Sequence, residues 1–330
     1  MARRPEKHKQ QYGTAEWYGR KFSSLSNAER VAYLETRNTQ QPCPFFHQVP
    51  ALGPKSGRLN CNKAGGVCSI RNFQEPRHTE EDLTFGPVTA TCPNRFLENG
   101  VIVEHIGRAI LGTSAPHFGK EITFLRRPKS KAARAAVEES VEDDDATSED
   151  ESPADQARED VGRIDLVFVD PENKQNWCAV EMQAVYFSGA TMTADHANIR
   201  GYSGNGVPMP GGGRRPDFRS SGPKRLMPQL QIKVPTLRRW GKKMVVVIDK
   251  PFLDAMDDME RIDHISNCDI VWVVVDYDET TAPGEVRLVI HDTIFTTLEA
   301  AVTGLTAGEP TTLPEFEARL GSKVAPALGG

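Results

Sequence analysis

Two stretches of this chain, Val245-Val246-Val247-Ile248 and Val271-Trp272-Val273-Val274-Val275, are apolar at every position and lack the alternation of a strand with one wet face. Short continuous runs rich in β-branched residues fit strands buried on both faces, in a sheet covered by further layers. Other strand candidates are Glu121 to Arg126, Arg163 to Asp170, Trp177 to Phe187, Lys243 to Asp249, Asp269 to Asp276 and Val286 to His291. A helix is predicted over Asn27 to Glu35, where Ser26 and Glu29 have the spacing of a capping box. A second is predicted over Val101 to Leu111, ending near Gly112. The expected fold class is α/β, a mixed sheet flanked by helices.

With 330 residues the chain can hold one large domain or a core with a small accessory module. The predicted division is an N-terminal helical extension (1–40), a Pro-, Gly-, Asn- and Cys-rich module (41–95), a main domain (96–300) and a C-terminal tail (301–330). No run approaches the roughly 18 apolar residues of a membrane helix. The basic start, Met1-Ala2-Arg3-Arg4, is not followed by an apolar stretch. The chain therefore reads as soluble, cytoplasmic and without a membrane partner.

The formal charge of −5 conceals two very different regions. Twelve acidic residues stand against Arg158 alone between Glu138 and Asp160, and without that segment the chain would carry +6. A Ser/Ala/Glu/Asp-rich tract of this kind cannot bury enough apolar surface to order itself, so 128–160 reads as a disordered surface insertion.

The sharpest chemical signal is Arg163-Ile164-Asp165-Leu166-Val167-Phe168-Val169-Asp170, followed after a Pro/Asn-containing link by Trp177-Cys178-Ala179-Val180-Glu181-Met182-Gln183. If Asp170 pairs with Asn176 across a hairpin, Asp165 lies directly opposite Glu181, with β-carbons roughly 5 Å apart. Gln183 shares that face. Two adjacent half-buried carboxylates repel, and a hard divalent cation such as Mg2+ relieves them through oxygen ligands. It could then polarise a phosphoryl oxygen and activate a water, which is the chemistry of phosphodiester hydrolysis. Asp165, Glu181 and the carbonyl of Met182 are the expected ligands, and Gln183 the group that orients the water. Glu104, on the predicted helix, is the natural third carboxylate, with Glu121 competing for the role.

Cys43, Cys61, Cys68 and Cys92 all fall in the loop-rich region, whereas Cys178 and Cys268 lie in or beside apolar strands. Four thiolates suit a tetrahedral structural site for iron or zinc, although these spacings match no standard Cys-x-x-Cys pattern. Downstream, Ser203 to Lys243 carries ten basic residues against Asp217 alone. Arg214, Arg215, Arg219, Lys224, Arg225, Lys233, Arg238 and Arg239, with Gln229 and Gln231, form a candidate surface for double-stranded DNA. An arginine-dominated reader leans toward G·C-rich sites.

Cys43-Pro44-Phe45, Cys61-Asn62-Lys63-Ala64-Gly65-Gly66-Val67-Cys68-Ser69-Ile70-Arg71, the Asp165 and Glu181-Met182-Gln183 hairpin, and Pro223-Lys224-Arg225-Leu226-Met227-Pro228-Gln229-Leu230-Gln231 together resemble the NotI-type restriction endonucleases, from about residue 41 to 250. The resemblance implies a PD-(D/E)XK nuclease core in its Glu-x-Gln variant, with Asp165, Glu181 and Gln183 as its catalytic hairpin. It also implies a homodimer that cuts both strands of a GC-rich palindrome with Mg2+, leaving 5′-phosphates, and a structural iron on Cys43, Cys61, Cys68 and Cys92. The competing readings are a zinc-stabilised DNA-binding regulator without hydrolytic activity, and a nuclease acting in repair or on single strands.

Overall fold

The two apolar runs lie side by side at the centre of a six-stranded sheet in a computed structural model that describes residues 11–37, 40–54, 56–74, 83–128, 158–188, 192–282, 284–308, 311–321 and 323. In chain order the strands are β1 (Gln11–Trp17), β2 (Arg20–Lys21), β3 (Val67–Gln74), β4 (Thr84–Phe85), β5 (Thr89–Ala90), β6 (His117–Pro128), β7 (Arg158–Val169), β8 (Trp177–Met182), β9 (Tyr186–Ser188), β10 (Arg215–Asp217), β11 (Met244–Asp249), β12 (Ile270–Asp278) and β13 (Arg287–Thr296). The helices are α1 (Asn27–Glu35), α2 (Pro44–Gln48), α3 (Val101–Ile106), α4 (Thr193–Gly201), α5 (Phe218–Ser221), α6 (Met227–Arg239), α7 (Lys250–Asp254), α8 (Leu298–Thr306) and α9 (Leu313–Gly321). None is long and apolar enough to cross a membrane.

The large sheet runs β13-β12-β11-β8-β7-β6. Its centre, β8-β11-β12, is parallel, and the outer strands pair antiparallel, so the sheet is mixed as expected. Successive residues of the central strands enter opposite cores. Val245, Val247, Val271, Val273 and Val275 join one cluster, and Val246, Ile248, Trp272 and Val274 the other. Continuous apolarity thus has a direct structural cause, because each strand has no wet face.

Leu226, Leu230, Val234 and Leu237 cover the second cluster from α6 and the turn before it, together with Ala301 and Leu305 of α8. The opposite face carries a smaller sheet, β2-β1-β3-β4, with β5 also paired to β3. The segment expected as a helical extension therefore contributes β1 to the same sheet as the cysteine-bearing β3. It also contributes α1, whose Ser26 and Glu29 form the expected capping box.

Two polar devices fasten this layer to the large sheet. Arg95, fully buried, pairs with Glu16 at 2.8 Å and Glu98 at 2.6 Å, donates to the Val286 carbonyl at 2.8 Å, and stacks on the rings of Phe45 and Tyr277. Asp249, at the end of β11, accepts the Ala90 N–H at 2.6 Å on one oxygen and the Phe252 N–H at 3.1 Å on the other. Ala90 is held from its other side as well, since its carbonyl accepts the Val185 N–H at 2.9 Å.

The ladder of β6 and β7 extends as far as Pro128↔Arg158. Arg158, Glu159 and Asp160 are thus strand residues, which narrows the expected insertion; its remainder, 129–157, lies outside the described residues.

Candidate active site and thiol centre

The hairpin closes as its sequence predicts. The Asp170 N–H donates to the Asn176 carbonyl at 2.9 Å, and the ladder runs Val169↔Trp177, Phe168↔Cys178, Val167↔Ala179 and Leu166↔Val180. The same register brings Asp165 opposite Glu181, on the face that α6 covers. Their settings differ sharply: the Asp165 side chain is 63% exposed and that of Glu181 only 7%. Burial pushes the Glu181 carboxyl up to about 7, with the adjacent Asp165 carboxyl pushing the same way against the pull of Lys233. Gln183 follows the end of β8, its N–H donating to Val247 of β11 at 2.9 Å and its side-chain amide to the Ala184 carbonyl at 2.6 Å.

Lys233, expected at a DNA surface, lies inside this site. Its Nζ is 2.8 Å from Glu181 Oε2, 2.9 Å from Gln229 Oε1 and 3.8 Å from Asp165 Oδ2. The apolar spacing Leu226, Leu230, Val234, Leu237 carried the helical signal that places it, despite Pro228 and Pro235. On a helix so anchored, residues 229 and 233 share one side and meet the hairpin carboxylates.

Glu104 stands apart from the hairpin, exposed and paired with Arg108 at 2.6 Å. Glu121 falls between the paired positions Lys120↔Leu166 and Ile122↔Ile164, and so opposite Asp165, with a left-handed backbone (φ 52°) and Arg163 at 3.8 Å. Glu121, Asp165 and Glu181 thereby form a row across three neighbouring strands.

A cleft of about 470 Å³ opens here, lined by Glu181, Gln183, Arg225 and Gln229 on one side and by Lys63 and Thr91 of the cysteine region on the other. Lys63 Nζ donates to the Thr91 carbonyl at 2.6 Å, and the Arg225 guanidinium lies 3.5 Å over the Tyr186 ring. A larger cleft of about 840 Å³ lies at Glu16, Glu98 and Arg287, where Arg95 already pairs with both buried acids. Among the other basic residues, Arg214 is buried against Asp195, and Arg238 bridges Asp269 and Glu299. Arg215, Arg219, Lys224, Gln231 and Arg239 are exposed.

All four clustered cysteines are buried free thiols. The Pro42↔Asn60 bridge draws Cys43 toward Cys61, and the Thr91 and Cys92 N–H groups, both donating to the Cys68 carbonyl, draw Cys92 toward Cys68. The turn before Cys68 needs Gly65 and Gly66 at φ 73° and 68°, and a β-carbon on Gly66 would lie 2.2 Å from the Tyr18 ring. Burial raises each thiol pKa, that of Cys92 to about 11, and neighbouring thiols add to the rise at Cys61, Cys68 and Cys92. The donor chemistry is that of a soft cation site. Among the described residues, however, no group of three or more His, Cys, Asp or Glu side chains is disposed to hold a metal ion.

None of the curated proteins compared with the chain matches it. The family model of restriction endonuclease NotI matches residues 29–288, from α1 to the start of β13, and takes in both the cysteines and the hairpin. That span sets aside the regulator without hydrolytic activity: the chain belongs to the NotI restriction endonuclease family and is a site-specific deoxyribonuclease.

Proposed function

We propose that this protein is a type II restriction endonuclease with a PD-(D/E)XK-type core. In this reading it acts as a homodimer, hydrolyses both strands of a GC-rich palindromic duplex and leaves 5′-phosphates. The observation that carries the site assignment is the meeting of Asp165 with the buried Glu181 beside an ammonium. Two carboxyl groups so placed need positive charge nearby, and their oxygens suit a hard divalent cation, with Mg2+ the expected one. Asp165, Glu181 and the Met182 carbonyl would hold it, with Glu121 better placed than Glu104 to join them. Bound there, the cation would polarise a phosphoryl oxygen and lower the pKa of a water.

The chain's own groups supply the rest. Gln183 presents an amide that orients the attacking water. Arg225, braced on Tyr186, and Lys63, braced on Thr91, face the cleft where a DNA backbone would enter. Arg215, Arg219, Lys224, Gln231 and Arg239 extend the contact to the duplex, whereas Arg214 and Arg238 have their charges met within the fold. Cys43, Cys61, Cys68 and Cys92 would hold a structural iron, or zinc in its place. The support is their shared burial and the influence of neighbouring thiols on one another.

Incubation of long duplex DNA with Mg2+ should give discrete fragments whose sequenced ends share one palindrome and carry 5′-phosphates. Glu181→Gln should lower the cleavage rate by about 1000-fold or more while DNA binding in Ca2+ persists. Undiminished cleavage by that variant would remove the hairpin from the active site.

A further inference from the structure

We infer that Lys233, projecting from α6, is a catalytic residue that supplies the positive charge the Glu181-Met182-Gln183 strand lacks, placing its ammonium against the phosphoryl group during cleavage. This rests on the hairpin being the active site. Position 183 provides only a neutral amide. Asp165 and Glu181 bring carboxyl groups, and a phosphodiester adds a further negative charge. In hydrolysis the water oxygen forms the new P–O bond while the P–O3′ bond breaks, its electron pair leaving on O3′. The water gives its proton to solvent, O3′ takes one from solvent, and one water is consumed. Negative charge builds on the non-bridging oxygens as this happens, and an ammonium held in advance stabilises it without releasing a proton.

The setting of Lys233 favours this role over that of a simple counter-ion. Apart from Gln229 its neighbours on the covered side are apolar, with Leu226, Leu230, Val234 and Leu237 all essentially buried. An apolar residue at 233 would cost less than a buried charge. The ammonium is instead fixed by Glu181 at 2.8 Å and by Gln229 one helical turn earlier at 2.9 Å. Gln229 and Glu181 both line the cleft. Asp165, at 3.8 Å, is a longer ion-pair partner, so the ammonium sits between the two hairpin carboxyl groups, directly behind the two partners that face the cleft.

Lys233→Met keeps the volume and apolar stem of the lysine, and Lys233→Gln keeps polar contacts without the charge. Four measurements on full-length protein decide the matter: single-turnover cleavage in Mg2+, DNA affinity in Ca2+, Ca2+ binding to DNA-free protein by calorimetry, and melting temperature. Both variants should cleave about 100-fold more slowly or worse. DNA affinity should change by no more than about threefold, since phosphate contacts elsewhere dominate it. Ca2+ should bind roughly tenfold more tightly, because a competing positive charge beside Glu181 has gone. In the double variant Lys233→Met with Gln183→Lys, an ammonium delivered from the strand should recover at least about tenfold of the lost rate.

Cleavage within about threefold of wild type by both lysine variants, with Glu181→Gln inactive, would overturn the role of Lys233 and leave the hairpin standing. A rate loss matched by an equal loss of DNA affinity would make Lys233 a mere DNA contact and would also overturn it. So would a fall in Ca2+ affinity together with melting temperature, which is the signature of a structural counter-ion. Full activity of Glu181→Gln would instead remove the hairpin reading, and the inference with it.

Discussion

The two faces of the six-stranded sheet are covered in different ways. On the face toward α6 and α8 the contacts are mostly apolar, apart from the Glu181–Lys233 ion pair: Leu226, Leu230, Val234, Leu237 and Leu305 pack onto Val246, Ile248 and Val274. On the opposite face aromatic rings and thiols pack onto Val245, Val247 and Val273, and the layer is fastened by the Arg95 ion pairs and the Asp249–Ala90 hydrogen bond. Apolar burial is non-directional, so the first face, away from that ion pair, should shed individual contacts gradually. Buried polar contacts lose far more when one partner goes, because the other is left uncompensated, so the second face should fail abruptly.

The comparison breaks most visibly at the thiols. Cys68→Ser should yield poorly soluble protein without stoichiometric iron or zinc, since a four-thiolate centre can contribute on the order of 10 kcal/mol to folding. Cys178→Ala, which trims a buried thiol of β8, should cost only about 1 kcal/mol. Elemental analysis and thermal melts of the two proteins distinguish the outcomes, and folded, active, metal-free Cys68→Ser would dismiss the thiol centre.

Arg95→Met should come next. It strands Glu16 and Glu98 and should cost about 3–5 kcal/mol, or on the order of 10 °C in melting temperature. Val246→Ala, on the aliphatic side, should cost about 2 kcal/mol. If the double variant Glu16→Gln with Arg95→Met is no more stable than Arg95→Met alone, the brittleness of this face does not come from the uncompensated carboxylate.

The smallest effect is a dependence on pH. Burial raises the Asp249 carboxyl to about 7. Its ordinary value, near 4, applies in the unfolded chain, so the folded protein binds the extra proton between those limits. Asp249 therefore contributes most to stability below about pH 4, and the contribution is lost as pH rises through about 7. Asp249→Asn should flatten a plot of melting temperature against pH in that window; an unchanged slope would assign it to other groups.

The aliphatic face was the legible one. Period-2 and continuous apolar runs report burial directly, which is why a part of each strand of the large sheet and the Asp165/Glu181 register could be read from the chain, although the run expected as one strand from Trp177 to Phe187 divides into β8 and β9 of different sheets. The position of Lys233 was hidden because Pro228 and Pro235 obscured a helix, leaving its charge to be read as surface. β1 was hidden too. Gln11 to Trp17 alternates weakly, and its partner β3 lies some fifty residues away, so its pairing has no local signal. Cysteine composition suggested a centre, yet which loops converge depends on backbone contacts such as Pro42↔Asn60 that involve no distinctive side chain.

Ala90 has no functional group, yet both sides of its peptide are taken: its N–H by Asp249 and its carbonyl by Val185, two residues past Gln183. Cys92 lies two residues further along the same strand end, and Thr91 between them steadies Lys63 in the cleft. The segment that carries Cys92 and the segment that follows Gln183 thus meet at one alanine, like two arms on a common pivot. Thr91 and Pro93, on either side of Cys92, both line the cleft, so a shift of that one thiol would be felt at the cleft wall without passing through the rest of the fold.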